Sequence, residues 1–298
     1  MSATDSGTRS THTVDAVTAA AVRPIRRPLA ELSHAEQIGL LDLGLEEELR
    51  ELGRAGNPEF AADDGLAWVT GALPGATVYR TSLDAANADA RIAARLADFD
   101  SRRLAVTWWA RPDARPADLR ARLVGHGFEL TDDEAGMAAD LEHLVEDLPR
   151  PAGLTIEAFG HDDHLPEDGV EAWLKVAGSS FGWLPERYDV RRQLYHGDAR
   201  RPRPWRHAVA RLAGRPVAMA RVLLASGVAM VHGVATIESA RRQGIGSAIT
   251  VAALAAARDE GYRLGVLQAS SMGQGPYRRI GFETVARYGR YERPPARP

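Results

Sequence analysis

Apolar and polar positions alternate along this chain as short hydrophobic runs, with helical stretches and glycine- or proline-bearing turns between them. Val228 to Thr236 is an apolar run of the kind a buried strand shows, and Arg263 to Gln268 is a second, shorter one. Between them the spacing predicts a helix from Ile249 to Glu260, with Gly261 placed to end it. After the second strand come a loop, Ala269 to Gly275, and then Pro276-Tyr277-Arg278-Arg279-Ile280-Gly281-Phe282. An earlier region has the same order. Leu104 to Trp109 reads as a buried strand, followed by a loop, a helical stretch Ala117 to Val124, Gly127-Phe128 and a polar-apolar tail through Met137 and Leu141. This predicts a degenerate internal repeat. Two prolines and a glycine in Leu148-Pro149-Arg150-Pro151-Ala152-Gly153 interrupt helix and strand alike, so the boundary is placed there. The expected organisation is a disordered tail over 1–30, one domain over 31–148 and a second over 149–298.

Between the Val228 strand and the Ile249 helix stands Arg241-Arg242-Gln243-Gly244-Ile245-Gly246-Ser247-Ala248. A glycine-rich turn opening a helix is an anion site, because free backbone N–H groups and the positive end of the macrodipole point at the ligand. Without a Cβ, Gly244 and Gly246 let phosphate oxygens reach the backbone, and Arg241 and Arg242 can add charge-assisted contacts. No Lys-Ser or Lys-Thr follows the glycines, which excludes a P-loop. The dinucleotide fingerprint fails too: Ile249 stands where a third small residue is needed, and the next strand carries no acidic residue for a ribose. The turn does fit the pattern Arg/Gln-x-x-Gly-x-Gly/Ala, and an aromatic-x-x-x-Gly-Phe element follows it, from Tyr277 to Phe282. With both motifs in this order, the last half of the chain resembles the GNAT-type N-acetyltransferases.

That resemblance implies an α/β fold of the α+β kind with a mixed sheet, here as two GNAT-like domains in tandem. It implies acetyl-CoA as co-substrate, its pyrophosphate held by Arg241, Arg242, Gln243, Gly244, Ile245, Gly246 and Ser247, and its pantetheine arm by the splayed backbone of Val234, Ala235 and Thr236. Tyr277 matches the tyrosine placed near the CoA sulfur, where a phenol of pKa about 10 can donate to the leaving thiolate. His232 occupies the strand position where the family often has a carboxylate, and its imidazole could take the amine proton directly or through water; a histidine simply bonded to backbone is the alternative. Glu238 reads as a surface charge. The acceptor side is expected from the first helices of the domain, between Val170 and Gln193, with Phe181 and Trp183 as substrate contacts. Arg187, Tyr188, Arg191, Arg192, Arg200, Arg201 and Arg203 belong either to that cleft or to a solvated face. The first copy lacks the glycine turn and places Leu123 or a neighbour where Tyr277 stands, so it resembles a domain that has lost its CoA site and serves to shape the acceptor cleft. Transfer of acetyl to a primary amine of a small molecule or peptide is the leading expectation. A non-catalytic acyl-CoA sensor is the alternative.

Composition narrows this further. A net charge of −3 argues against general nucleic-acid binding. With no cysteine there can be no disulfide, thiolate metal site or acyl-cysteine intermediate, which favours direct transfer in a ternary complex. His161-Asp162-Asp163-His164 lacks an i, i+4 histidine pair and reads as a polar turn, so no metal is expected. Neither a membrane span nor an apolar signal core is apparent, so a cytoplasmic monomer or homodimer is expected. Lys175 is the only lysine beside abundant arginine, alanine and glycine, a bias suggesting a GC-rich bacterial genome.

Overall fold

The computed structural model describes residues 23–53, 58–71, 75–159, 167–182 and 204–296. Helix α1 (His34–Gly53) starts at a reciprocal cap: Ser33 N–H donates to Glu36 Oε2 at 2.8 Å, and Glu36 N–H donates to Ser33 Oγ at 3.3 Å. Its buried Leu41, Leu45 and Leu49 recur every four residues and form one apolar stripe. Three strands follow, β1 (Glu59–Asp63), β2 (Leu66–Thr70) and β3 (Ala76–Thr81), then α2 (Ala88–Ser101), β4 (Val106–Ala110), α3 (Leu119–Gly125) and β5 (Glu129–Asp140). The second half runs β6 (Leu154–Phe159), α4 (Glu167–Phe181), β7 (Trp205–Leu212), β8 (Arg215–Ala225), β9 (Val228–Thr236), α5 (Ile245–Asp259), β10 (Leu264–Ala269), α6 (Gln274–Arg279) and β11 (Glu283–Arg293). The repeat is thus visible in the fold: helix, three strands, helix, strand, short helix, strand occurs twice, and β6 is added ahead of the second copy. In each copy a crossover helix joins two parallel strands, β3 to β4 and β9 to β10.

All the strands belong to one mixed sheet, ordered β1-β2-β3-β4-β11-β5-β10-β9-β8-β7-β6. The two copies have exchanged their last strands. β5, from the first half, lies antiparallel to β10, from Leu264 opposite Asp140 to Ala269 opposite Ala135. β11, from the second half, lies antiparallel to β4, from Gly289 opposite Ala110 to Arg293 opposite Val106. The sheet therefore continues unbroken across the Leu148–Gly153 connection.

Alternation along the strands sends the helices to two faces. The α1 leucines pack with Val228, Met230, Leu223 and Val266, and α4 packs with Val209, Met219 and Ala235 on the same face. On the other face α5 and α6 cover Ala229, Val231 and Met137, and α2 and α3 cover Trp68, Val78 and Trp108. Residues 23–30, expected from composition as part of the tail, are placed on the α1 face. Ile25 N–H donates to Gly227 O at 2.9 Å, and Ile25 and Leu29 pack on the core there. Two apolar side chains with a sheet to cover outweigh the polar, proline-rich context. Among the described residues no helix is long and apolar enough to cross a membrane.

Candidate active site

The glycine turn lies where the sequence puts it, between β9 and α5, and the helix begins earlier than its apolar spacing suggests, at Ile245. Gly244 is the N-cap in the left-handed conformation, φ 79° and ψ −5°. A Cβ there would stand 2.2 Å from the carbonyl oxygen of Pro149 in the connection between the halves. Glycine at 244 is therefore required by the chain itself, a reason the sequence reading did not contain. Gly246 is different: a Cβ would meet nothing nearer than Thr236 Oγ1, at 3.6 Å. Helices disfavour glycine by about 1 kcal/mol relative to alanine, and nothing among the described residues requires a glycine at 246. Arg241 Nε donates to Thr236 O at 3.1 Å and Gln243 Nε2 to Ser239 O at 3.5 Å, which braces the turn. Arg242 takes a positive φ of 62°. Arg241, Arg242 and Gln243 are exposed, while Ile245 and Ser247 are buried. The first helical bond runs from Ala248 N–H to Gly244 O at 3.0 Å. The amides ahead of it point out of the helix N-terminus, where an anion is favoured.

Beside the turn the sheet opens. Parallel pairing of β9 with β10 ends at Val231 opposite Leu267, although β10 continues along β5 to Ala269. On its other edge β9 stays bonded to β8, with a bulge where Ala235 faces Met219 and His232 faces Arg221. Gly233, with φ 57°, sits in that bulge. The β10-side edge of β9 from His232 to Thr236, including Val234 and Ala235, thus has no strand partner among the described residues. Bulges of this kind bend a strand and interrupt its ladder.

His232 is half-buried on the α1 face. Its Nδ1 lies 3.1 Å from Glu48 Oε2, and Arg221 reaches Glu48 Oε1 at 3.2 Å. The Trp205 ring meets the imidazole edge-on at 5.8 Å, and the Arg221 guanidinium stacks 4.4 Å from a Trp205 ring. His232 Nε2 is buried with no hydrogen-bond partner among the described residues. Burial alone would raise the Glu48 carboxyl, but His232 and Arg221 outweigh it and hold it down to about 2. Glu48 was not found in the sequence. It is one of several glutamates on an amphipathic helix far along the chain, and nothing local links it to β9. Glu134 of β5 is half-buried, its carboxyl pushed up to about 7 by desolvation despite Arg290, with Asp132 and Glu48 adding to the rise.

Tyr277 lies in α6, edge-on to Phe282 at 6.0 Å, and burial lifts its phenol to about 12. A shared hydrogen bond identifies its counterpart in the first half: Phe282 N–H donates to Tyr277 O at 3.1 Å, and Phe128 N–H donates to Leu123 O at 3.0 Å. Leu123 is fully buried and carries no proton. At the place of the glycine turn the first half has Asp84, whose Oδ1 accepts from Ala86 N–H at 2.8 Å, and Asp89 in the first turn of α2. Two carboxylates there oppose an anion.

Phe181 ends α4 and is 45% exposed. Trp183, the arginines from Arg187 to Arg203, Tyr188 and His161 to His164 lie outside the described residues.

Residues 169–282 match the Acetyltransferase (GNAT) family. Among curated proteins none matches the chain. Solved structures do. A GCN5-related N-acetyltransferase from Kribbella flavida, 22% identical, covers 86% of this chain and 96% of its own, with a TM-score of 0.62. A second from Sphaerobacter thermophilus, 19% identical, covers 84% and 85%, also with a TM-score of 0.62. A tandem GNAT protein from the clavulanic acid biosynthesis pathway, 16% identical, covers 90% and 98% with a TM-score of 0.57. At such identities the likeness is one of fold. The architecture is like that of the tandem GNAT protein, and within it residues 169–282 are the part that matches the GNAT acetyltransferase family.

Proposed function

We propose that this protein transfers an acetyl group from acetyl-CoA to a primary amine of a small molecule or peptide, directly, in a ternary complex. The observation that carries the reading is Gly246. The described residues leave open the volume its side chain would fill, at a helix N-terminus beside an opened strand edge. That volume suits the pyrophosphate, with Arg241, Arg242, Gln243, Ile245 and Ser247 around it and Gly244 setting the turn. The free edge of Val234, Ala235 and Thr236 suits the amide-bearing pantetheine arm.

The acceptor nitrogen attacks the thioester carbonyl as a free amine, and the C–S bond breaks. The ammonium nitrogen loses two protons in all: one leaves through His232 Nε2 to solvent, and the other ends on the CoA thiol. Tyr277 stays protonated at neutral pH. A thiol has a pKa of about 8.5, well below that of this phenol, so Tyr277 serves the departing sulfur as a hydrogen-bond donor rather than by giving up its proton outright. Phe181, exposed at the end of α4, would border the acceptor.

The test pairs calorimetry with turnover. Acetyl-CoA and desulfo-CoA are expected to bind and NADH is not, and primary amines should accelerate free-thiol release. Tyr277→Phe should lower kcat by about tenfold to a hundredfold while leaving CoA affinity intact. No CoA binding would sink the reading. Unchanged turnover in the variant would remove Tyr277 from it.

A further inference from the structure

The N-terminal half shows no anion turn and no proton donor at the Tyr277 position, yet it reaches the catalytic half through α1. We propose that Glu48 is a positioning residue that fixes the His232 imidazole with Nδ1 protonated and Nε2 bare, so that the proton-accepting unit is assembled from both halves. The inference rests on His232 being the proton acceptor proposed above.

The geometry carries it in three steps. Glu48 Oε2 stands 3.1 Å from Nδ1, and a carboxylate can only accept, so Nδ1 must be the donor. A neutral imidazole protonated at Nδ1 keeps its lone pair on Nε2. That atom has no partner among the described residues, so none of them competes for the lone pair. Glu48 is in turn held by Arg221, and Arg221 by the Trp205 ring, so the carboxylate is itself oriented. The groups surrounding the pair are Glu48 from α1, Arg221 from β8, His207 opposite Arg221 on β7, the Trp205 ring, and Glu134 on β5 acting through Glu48. With Arg221 offsetting Glu48, the pair does not leave an unopposed anion beside the base.

Orienting carboxylates act with their base as one unit, so losses should not multiply. The experiment uses the full chain with three variants: Glu48→Gln, His232→Gln and the double. Acetyl-CoA is paired with the fastest amine among spermidine, tyramine and glycinamide. Each single variant is expected to lower kcat by about tenfold to a hundredfold with the acetyl-CoA KM within about twofold, and the double should be no slower than His232→Gln. In Glu48→Gln the acidic limb of the kcat profile should move to lower pH, because removing the anion disfavours the protonated ring. Multiplied losses or an unmoved limb would overturn the proposal. Histidine ¹⁵N spectra of the wild type, with His232 assigned by its loss in the glutamine variant, read the ring directly and need no turnover. A ring protonated on Nε2 overturns the proposal. A ring protonated on Nδ1 in a protein that transfers no acetyl group leaves the pairing standing and removes the catalytic reading instead. Melting curves separate either result from misfolding, and Glu48→Gln keeps the shape and an acceptor oxygen.

Discussion

A methyl group added at Gly244 would stand 2.2 Å from the Pro149 carbonyl oxygen, whereas one added at Gly246 would meet nothing closer than Thr236 Oγ1 at 3.6 Å. The two glycines should therefore separate fold from ligand. Gly244→Ala forces a left-handed residue against backbone and should cost at least about 1–3 kcal/mol of stability. Gly246→Ala should melt at the same temperature or higher, since alanine favours a helix by up to about 1 kcal/mol, and should still bind acetyl-CoA at least about tenfold more weakly, a loss of about 1.4 kcal/mol. Gly246→Glu should abolish binding with little loss of fold. Normal binding by Gly246→Glu would mean that the turn cradles no phosphate. The turn was legible in the sequence because its signal is local, a strand, two glycines and a helix within a few residues. The demand on Gly244 was not, because Pro149 comes from another part of the chain. The same holds for His232: its strand position could be read, but its carboxylate partner, brought in by α1, could not.

β5 and β11 show where reading by element stops. The Leu104 and Val228 strands, the Ile249 helix and the strand after it followed from apolar spacing, and the Gly-Phe pairs pointed to Leu123 or a neighbour as the counterpart of Tyr277. Which last strand joins which half did not. Buried positions fall at 135–139 on β5 and at 288, 289 and 291 on β11, and such a pattern gives the faces of a strand without naming its neighbour. The exchange also explains Glu134, which β5 carries opposite Tyr288 of β11. Its carboxyl is raised from 4.5 to about 7, with burial the chief cause. For a carboxyl raised in the native state, no penalty applies below about 4.5, where both states are protonated. The penalty grows as the unfolded chain ionises and is complete above about 7. Glu134→Gln removes it. Urea melts should show little difference from wild type near pH 4.5 and a gain of about 1–2 kcal/mol at pH 8, the full shift discounted for the solvent this carboxyl still meets. A gain of the same size at both pH values would mean that ionisation is not the cause.

Across the whole molecule the exchanged strands make the two halves one cooperative unit. Separating the chain after Leu148 strands β5 without β10, and β11 without β4 and β5. Met137 on β5, Leu141 just beyond it, and Tyr288 and Tyr291 on β11 are almost wholly buried. Exposing such side chains costs about 1.5–3 kcal/mol each, and four of them together rival the about 5–15 kcal/mol of net stability that a domain has. The second half would also lose α1 from over Met230 and Val266, and Glu48 from beside His232. Residues 149–298 expressed alone should accordingly fail to melt cooperatively and fail to bind acetyl-CoA. Co-expressed with residues 1–148 and carrying the only affinity tag, they should retain the partner fragment in equal amount and recover binding. The three connections that cross between the halves, β5 with β10, β5 with β11 and β4 with β11, are hydrogen-bonded ladders rather than a loose domain contact, so the recovered complex should survive salt that would dissociate a polar interface. A lone second half that folds as a monomer and binds acetyl-CoA like the whole chain would show that the strand exchange is dispensable. The first half would then be an appendage, and its contribution of Glu48 would have to be judged from the imidazole spectra alone.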